Sequence, residues 1–281
     1  MDTFNQPHYY DEITEDILLV YRSDPWHYDI FHRHNGYEIY IFLKGNVDYL
    51  VEHSCVHLER GNIAIINPTE YHRAVCLDNS LYERITLNIS PATLRNLSTS
   101  QTNFIHFFES KQHGVNNIIL LPEDILNKLL SLIDSLNDAL HSDSFGNDIL
   151  QKAYLLQILH LICNNYIVYK NISFNIMPSL VSETIQYVEE HISDNFSSID
   201  IAKALNYNNQ YISRMFRNTT GISLKQYILE KKITLAQKLL AEGYSVTDAC
   251  YKSGFKDYSN FIRTFKQHTK VTPSSFHRKP N

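Results

Sequence analysis

Apolar positions recur along this chain with two periods, and the change from one to the other divides it. Up to about Ile89 they come in short runs rich in β-branched and aromatic residues: Glu38 to Leu43, Val47 to Val51, Asn62 to Ile66 and Tyr82 to Leu87. Turn residues bound these runs at Lys44-Gly45-Asn46, Arg60-Gly61-Asn62 and Leu77-Asp78-Asn79. The pattern predicts strands, and short strands at regular spacing predict a barrel or sandwich. From Pro122 the period lengthens. Ile125, Leu129, Leu132, Leu136 and Ala139 step by four and three, while Leu126, Leu130, Ile133 and Leu140 widen the stripe. Two readings of this predicted helix stand: one edge packs on the barrel while the other meets the same helix of a second subunit, or the helix is buried wholly in its own subunit. A polar turn, His141 to Gly146, leads to a largely buried helix from about Asn147 to Tyr169, carrying Leu155, Leu156, Ile158, Leu159 and Ile162.

Asn171 to Pro178 has no sustained pattern and ends in proline, as an interdomain linker does. Beyond it every predicted element is helical: Leu180 to Ile192, Ile199 to Leu205, Asn209 to Thr219 closed by Gly221, and Leu224 to Leu240. The last stretch, Tyr244 to Lys279, repeats the short pattern. Val246, Ala249 and Cys250 share one face, Gly254 interrupts, and Phe261, Ile262 and Phe265 resume. Ser245 and Asp257 precede the two helices as capping residues, and Gly254 supplies the positive φ of a sharp turn. The sequence therefore holds two helix-turn-helix patterns joined by one helix. Seventeen residues from Leu224 to Leu240 make a rod of ~25 Å, and successive major grooves on one DNA face lie ~34 Å apart.

Length and composition fit two domains with real cores: 281 residues, 43% of them hydrophobic. The net charge of −5 speaks against nucleic acid only until it is split. From Ser179 onward there are 14 Lys and Arg against 9 Asp and Glu, and before it 11 against 21. The surplus of five favours a DNA-binding second part, although an ordinary solvated surface carries as much. No apolar run approaches the ~20 residues of a membrane span, and the amino terminus lacks the basic and apolar regions of a signal peptide, so a cytoplasmic protein away from membranes is expected. Cys55, Cys76, Cys163 and Cys250 are scattered with no C-x-x-C, which favours free thiols over zinc or disulfides.

Gly254, Phe255, Asp257, Ser259, Phe261, Arg263, Phe265 and Lys266, followed by Thr272-Pro273, form the order GF-x-D-x-S-x-F-x-R-x-FK. This resembles the signature of the AraC/XylS transcription factors. Ile201-Ala202, Leu205, Ile212-Ser213-Arg214, Phe216 and Gly221 resemble the same family's first motif, and Lys232-Ile233, Ala236 and Leu239-Leu240 its connecting helix. Phe276-His277 replaces the usual tyrosine-arginine pair, and Lys270 stands where glycine is common.

In the first part, His32-x-His34-x3-Glu38-x6-Gly45 and Gly61-x5-Asn67-Pro68-Thr69-Glu70-Tyr71-His72 resemble the two cupin motifs. The resemblance implies a cupin-like barrel with His32, His34, Glu38 and His72 at the four positions that hold a metal in cupin enzymes. Asn67, Thr69 and Cys76 stand where the motif has proline, glycine and asparagine. Alternate residues of one strand share a face, so His32 and His34 can point into one cavity, with Glu38 returning to the same side. Three imidazoles and a carboxylate suit a divalent transition metal. They equally suit an effector pocket, with Trp26, Tyr37, Tyr40, Arg73 and Arg84 to stack on or hydrogen-bond a sugar or other polar ligand, and each of these is also ordinary barrel filling.

For DNA, Tyr211, Ile212, Met215 and Phe216 are expected to face inward, leaving Asn209, Gln210, Ser213, Arg214 and Arg217 outward. Gln210 suits adenine and Arg214 guanine in the major groove. Tyr258, Ser259, Ile262 and Arg263 hold the corresponding places in the second repeat, with Tyr258 or Ile262 toward a thymine methyl. Lys252, Lys256, Lys266 and Lys270 are expected on phosphates. The fold class expected is α+β in two domains: a cupin-like β-barrel with a helical dimerisation segment (1–170), a linker (171–178), and an all-α double helix-turn-helix domain (179–281). The function expected is a dimeric, sequence-specific regulator rather than an enzyme. Its resemblance implies activation through RNA polymerase, a small-molecule effector such as a sugar, double-stranded promoter DNA as partner, and no cofactor. Two rivals stand beside it: a metal-dependent cupin enzyme or metal sensor fused to a DNA-binding module, and an effectorless regulator whose barrel only dimerises.

Overall fold

The computed structural model describes residues 10–23, 30–169, 175–194 and 196–277. They form two compact units, Met1–Ile176 and Met177–Asn281. The strands of the first unit are β1 (Tyr10–Asp11), β2 (Ile17–Ser23), β3 (Arg33–His34), β4 (Tyr37–Lys44), β5 (Val47–Val51), β6 (Ser54–His57), β7 (Asn62–Ile66), β8 (His72–Cys76) and β9 (Glu83–Ile89). After them come α1 (Pro91–Leu97), α2 (Phe104–Glu109), β10 (Ile118–Leu120), α3 (Glu123–Leu140) and α4 (Asn147–Tyr169). A five-stranded sheet runs β10-β7-β4-β9-β2 and a three-stranded sheet β6-β5-β8, with every pair in them antiparallel.

Alternation along β4 builds two cores from one strand. Tyr37, Ile39 and Ile41 join Ile63, Ile65, Ile85, Leu87 and Ile89 in a layer that packs on α1 to α4. Tyr40 and Phe42 join Ala64, Ile66, Val47, Tyr49, Val51 and Ala74 in the interior between the two sheets. A sheet covered on both faces has near-continuous apolar strands, which is why β4 and β7 read so plainly in the sequence. β10 lies beyond the stretch read as β and closes the edge of the larger sheet against β7. The short helices α1 and α2 carry no long apolar period. They are set by caps: Ser90 accepts from the Thr93 amide and Asn103 from the His106 amide.

The turn that delivers His72 replaces proline and glycine with side-chain hydrogen bonds. Asn67 Oδ1 accepts from the amide and hydroxyl of Thr69, and Glu70 Oε2 accepts from the Asn67 amide. Glu70 is fully buried, its Oε1 accepting from the Gly114 amide and Asn117 Nδ2. α3 buries Leu126, Leu129, Ile133, Leu136 and Ala139 in its own unit, whereas α4 leaves Ile149, Leu150, Leu156, Ile167 and Val168 exposed. Ile125, Leu130, Leu132 and Leu140, the wider part of the α3 stripe, are half-buried against the same core, and the exposed large apolar side chains of this helix pair lie on α4. Leu156, expected among the buried residues of α4, is 38% exposed. Residues 171–174 of the expected linker lie outside the described residues. Asn175 and Ile176 hydrogen-bond to Cys55 in the first unit. The four cysteines are free thiols.

The second unit holds α5 (Ser179–His191), α6 (Ser198–Ala204), α7 (Asn209–Thr220), α8 (Leu224–Ala241), α9 (Val246–Lys252), α10 (Tyr258–Thr269) and α11 (Pro273–His277). Its repeat extends to backbone detail, with one residue more between turn and cap in the second copy. Asn206 and Gly254 take the left-handed turn position, and the next residue's amide, Tyr207 or Phe255, reaches back to the carbonyl of Ala202 or Cys250. Asn208 and Asp257 cap the following helices. Thr220 and Thr269 donate their hydroxyls to the carbonyls of Phe216 and Phe265. No helix among the described residues is long and apolar enough to cross a membrane.

Candidate functional site

The interior of the barrel holds a cavity of about 260 Å³. Strand alternation supplies its walls: Leu18 and Val20 from β2, Glu38 and Tyr40 from β4, Tyr49 from β5, His72 and Ala74 from β8, and Arg84, Thr86 and Asn88 from β9. His32, His34, Tyr82, Arg22, Glu12 and Glu15 complete it. Glu38 returns to the side of His34, as expected from the sequence. His34 ends β3, Glu38 lies in β4, and the bend at Asn35-Gly36 turns both toward the cavity.

Glu38 is the centre of a buried cluster. Its Oε2 lies 3.2 Å from His34 Nε2 and accepts from Asn88 Nδ2 at 3.4 Å. Its Oε1 accepts from the Tyr49 hydroxyl at 3.3 Å and lies 3.8 Å from His72 Nε2. Burial alone would raise this carboxyl, but the hydrogen bond and charge of His34, with His72 and His32, hold it down to about 2. It is a carboxylate. His34 Nδ1 faces the Gly36 carbonyl at 2.9 Å, His72 Nδ1 that of Glu70 at 3.1 Å, and His32 Nδ1 that of Ile30 at 3.4 Å. A carbonyl can only accept, so each Nδ1 carries the proton, and the Nε2 atoms of His34 and His72 are left facing Glu38. Burial lowers the His32 and His72 pKa values, and the neighbouring imidazoles add to the effect. His72 Nε2 and Asn88 Oδ1 are buried with no hydrogen-bond partner among the described residues. The floor of the cavity thus carries two acceptors that the described residues leave unmet.

The residues present fit a metal. The ligand atoms of His34, Glu38 and His72 lie within 4.8 Å of one another. Two donors each ~2.1 Å from one tetrahedral ion lie roughly 3.4 Å apart, against the 3.2 and 3.8 Å separations here. Imidazoles that give Nδ1–H to a carbonyl are the usual form of metal-bound histidine. His32 stands beside this trio rather than in it, its ring centroid 4.4 Å from that of His72.

On the second unit, α7 and α10 each bury a narrow stripe, Ile212, Phe216 and Thr220 in one and Phe261 and Phe265 in the other. Gln210, Arg214 and Arg217 are exposed on α7, and Tyr258, Ser259, Arg263 and Lys266 on α10. Ser213 and Asn209 are half-buried, and Asn209 Oδ1 is turned inward. Ile262, expected on the outward face, is half-buried against the core of α8 to α10. Tyr211, expected inward, is 40% exposed, because it lies a quarter-turn from the Ile212–Phe216 stripe.

Residues 16–159, over half the chain, match the AraC-like ligand binding domain, and residues 201–279 match a helix-turn-helix domain. The chain belongs to the AraC family of transcriptional regulators. Among its relatives in that family is the lactose operon transcription activator of Staphylococcus xylosus, 24% identical over 169 residues, 58% of this chain and 59% of the relative. This chain therefore spans less than two thirds of that protein's length. The Msm operon regulatory protein of Streptococcus mutans is 21% identical over 247 residues, 87% of this chain and 84% of that one. A solved structure of ToxT from Vibrio cholerae is 16% identical, covering 93% of this chain and 97% of that one with a TM-score of 0.35.

Of the residues expected in the ligand-binding domain of this AraC-type chain, His32, His34, Glu38, His72, Tyr40 and Arg84 do line one cavity. Trp26 lies outside the described residues. Tyr37 and Arg73 are not part of the lining: Tyr37 faces the helical layer, where its hydroxyl donates to Glu109 at 2.6 Å. Arg73 alternates with His72 and Ala74, and so points the other way along β8. Sequence reasoning missed Asn88, Tyr49 and Tyr82. A signal for Asn88 was present, since Arg84, Thr86 and Asn88 are the polar positions of a strict alternation with Ile85, Leu87 and Ile89.

Proposed function

We propose that this AraC-family chain is a cytoplasmic, homodimeric activator that binds promoter DNA, engages RNA polymerase, and is switched by a small polyhydroxylated molecule, such as a sugar, held in the barrel. The first unit is its sensing and dimerisation domain and the second its DNA-binding domain. The barrel senses and does not catalyse. The observation that carries the effector class is the pair of unmet acceptors on the cavity floor: His72 Nε2 and Asn88 Oδ1, beside the Glu38 carboxylate, offer lone pairs without donors to meet them. A neutral polyol brings several hydroxyl donors at once, and Tyr40 and Tyr82 supply aromatic wall on which a sugar ring packs. Binding shifts the protein only through its preference for one conformation over another.

Thermal shift of the full chain against neutral sugars, polyols and sugar acids tests this. A sugar present at 100 times its Kd stabilises by about 2.7 kcal/mol, and the shift should shrink in Asn88→Ala. Stabilisation by carboxylates alone sinks the reading. On the DNA side, Arg214 and Gln210 on α7, with Arg263 on α10, read base edges while lysines position the phosphates. Affinity should fall steeply with salt, and a flat response counts against it.

The face of α4 supports the dimer. Ile149 and Ile167 lie nine residues on either side of Ile158, so antiparallel pairing of two copies of α4 places each against the other's counterpart, as an isologous contact requires.

A second reading is favoured by the geometry of His34, Glu38 and His72. A divalent transition metal held by His34 Nε2, His72 Nε2 and a Glu38 oxygen would supply a Lewis acid facing the cavity. The histidines' own part is to present Nε2 with Nδ1 pinned by backbone. Metal content of the full chain, purified without added metal, decides: stoichiometric metal lost in His34→Ala supports a metal sensor or enzyme, and its absence removes that reading.

A further inference from the structure

Each recognition helix carries an arginine at the same repeat position, Arg214 on α7 and Arg263 on α10, and in each the residue three places earlier touches it. In α7 that residue is Tyr211, whose ring lies 5.7 Å from the Arg214 guanidinium carbon, within cation–π range. The ring is itself backed by Tyr207 from the turn, nearly parallel at 20° with centroids 6.1 Å apart. Tyr207 is fixed by its own amide, which reaches the Ala202 carbonyl at 2.9 Å. In α10 the equivalent residue is Asn260, whose Oδ1 accepts from Arg263 Nη2 at 3.0 Å. Residues three apart on a helix are neighbours on its surface, so the chemistry differs while the geometry repeats.

We infer that Tyr211 and Asn260 are positioning residues that hold Arg214 and Arg263 in the pose that reads bases, Tyr211 by its π face and Asn260 by its amide oxygen. An arginine free on the surface loses rotamer entropy when it pairs bidentately with guanine. One already laid along its helix by a neighbour loses less, and its preference for the right base is sharper. This rests on the proposed reading that both arginines contact base edges.

The test is selection of the full chain on a randomised duplex pool, followed by affinity for every single-base change in the selected site. Arg214→Ala should relax preference at one base pair. Tyr211→Leu should relax preference at that same pair by three- to ten-fold, while Tyr211→Phe, which keeps the π face, retains it. Asn260→Leu should act likewise at the pair relaxed by Arg263→Ala. The slope of affinity against salt should stay constant in all three variants at Tyr211 and Asn260. Tyr211→Leu weakening every sequence equally, or Tyr211→Phe doing so through loss of its hydroxyl, makes Tyr211 a phosphate contact and overturns the inference. So does an unchanged profile in Tyr211→Leu when Arg214→Ala is relaxed. An unchanged profile in Arg214→Ala overturns the base-reading assignment beneath it, and the inference with it.

Discussion

Gly221 and Lys270 sit at the same place in the two repeats, and both hold left-handed backbone, φ 78° and 62°. Each ends a recognition helix whose last threonine has turned its hydroxyl back onto the helix. The turn demands the conformation, and only the first repeat fills it with glycine. A β-carbon there costs about 1–2 kcal/mol. Lys270→Gly should therefore stabilise the protein by about 1 kcal/mol, read as a higher urea midpoint at unchanged slope. A lower midpoint contradicts the assignment.

Gly254 admits no such exchange in the other direction. A β-carbon on it would stand 2.6 Å from the Ile192 carbonyl and 3.0 Å from Lys232 Nζ, which donates to the Gly254 carbonyl at 2.8 Å. Its φ of 79° adds strain. Gly254→Ala should cost about 3 kcal/mol or more. Gly243→Ala, at φ 92° with open space around it, should cost about 1 kcal/mol. Equal losses in the two variants would show that the contact with Ile192 carries no weight.

Lys111 donates to the Ile65 carbonyl at 2.7 Å, and burial pushes its ammonium down to about 8, partly opposed by the Glu70 carboxylate. Between that value and the ~10.4 of an unfolded lysine the unfolded chain binds more protons, so this group makes stability rise with pH. Buried Cys55 and half-buried Cys163, raised to about 12, pull the opposite way above ~pH 9. The readout is thus the difference from Lys111→Met, which should move by about 2 kcal/mol in favour of the native protein between pH 7.5 and 9.5. A constant difference would mean the amine is not desolvated.

The α4 face gives a prediction about assembly. Ile149→Asp or Ile167→Asp should convert a dimer to monomer in sedimentation, with little loss of melting temperature because both side chains are exposed. A dimer that survives both changes moves the interface elsewhere.

Most of the fold was legible in the sequence because two covered faces of β4 and β7 leave apolar runs, and because α7 and α10 bury narrow stripes at helical spacing. What failed had local causes. α1 and α2 are too short to show a period and are written in single capping residues. Tyr211 was assigned inward because it is aromatic, although its angle on the helix places it beside the stripe. The width of the α3 stripe left two readings open, a contact with a second subunit or burial in its own; its half-buried edge, Ile125, Leu130, Leu132 and Leu140, packs against the core of its own unit. In the cavity, four of the expected residues came from two histidine-bearing motifs, whereas Tyr49, which hydrogen-bonds Glu38, carries no sign in sequence of which face it serves.

The helix α8 joins two heads that share a skeleton and little else. Where α7 presents Gln210 and Arg217, α10 presents Ser259 and Lys266. Under the proposed base-reading assignment, a site recognised by such unlike heads from one chain has a polarity. Each subunit distinguishes the two directions along the duplex, so inverting a half-site in place would change what it asks of the protein even with every base pair kept.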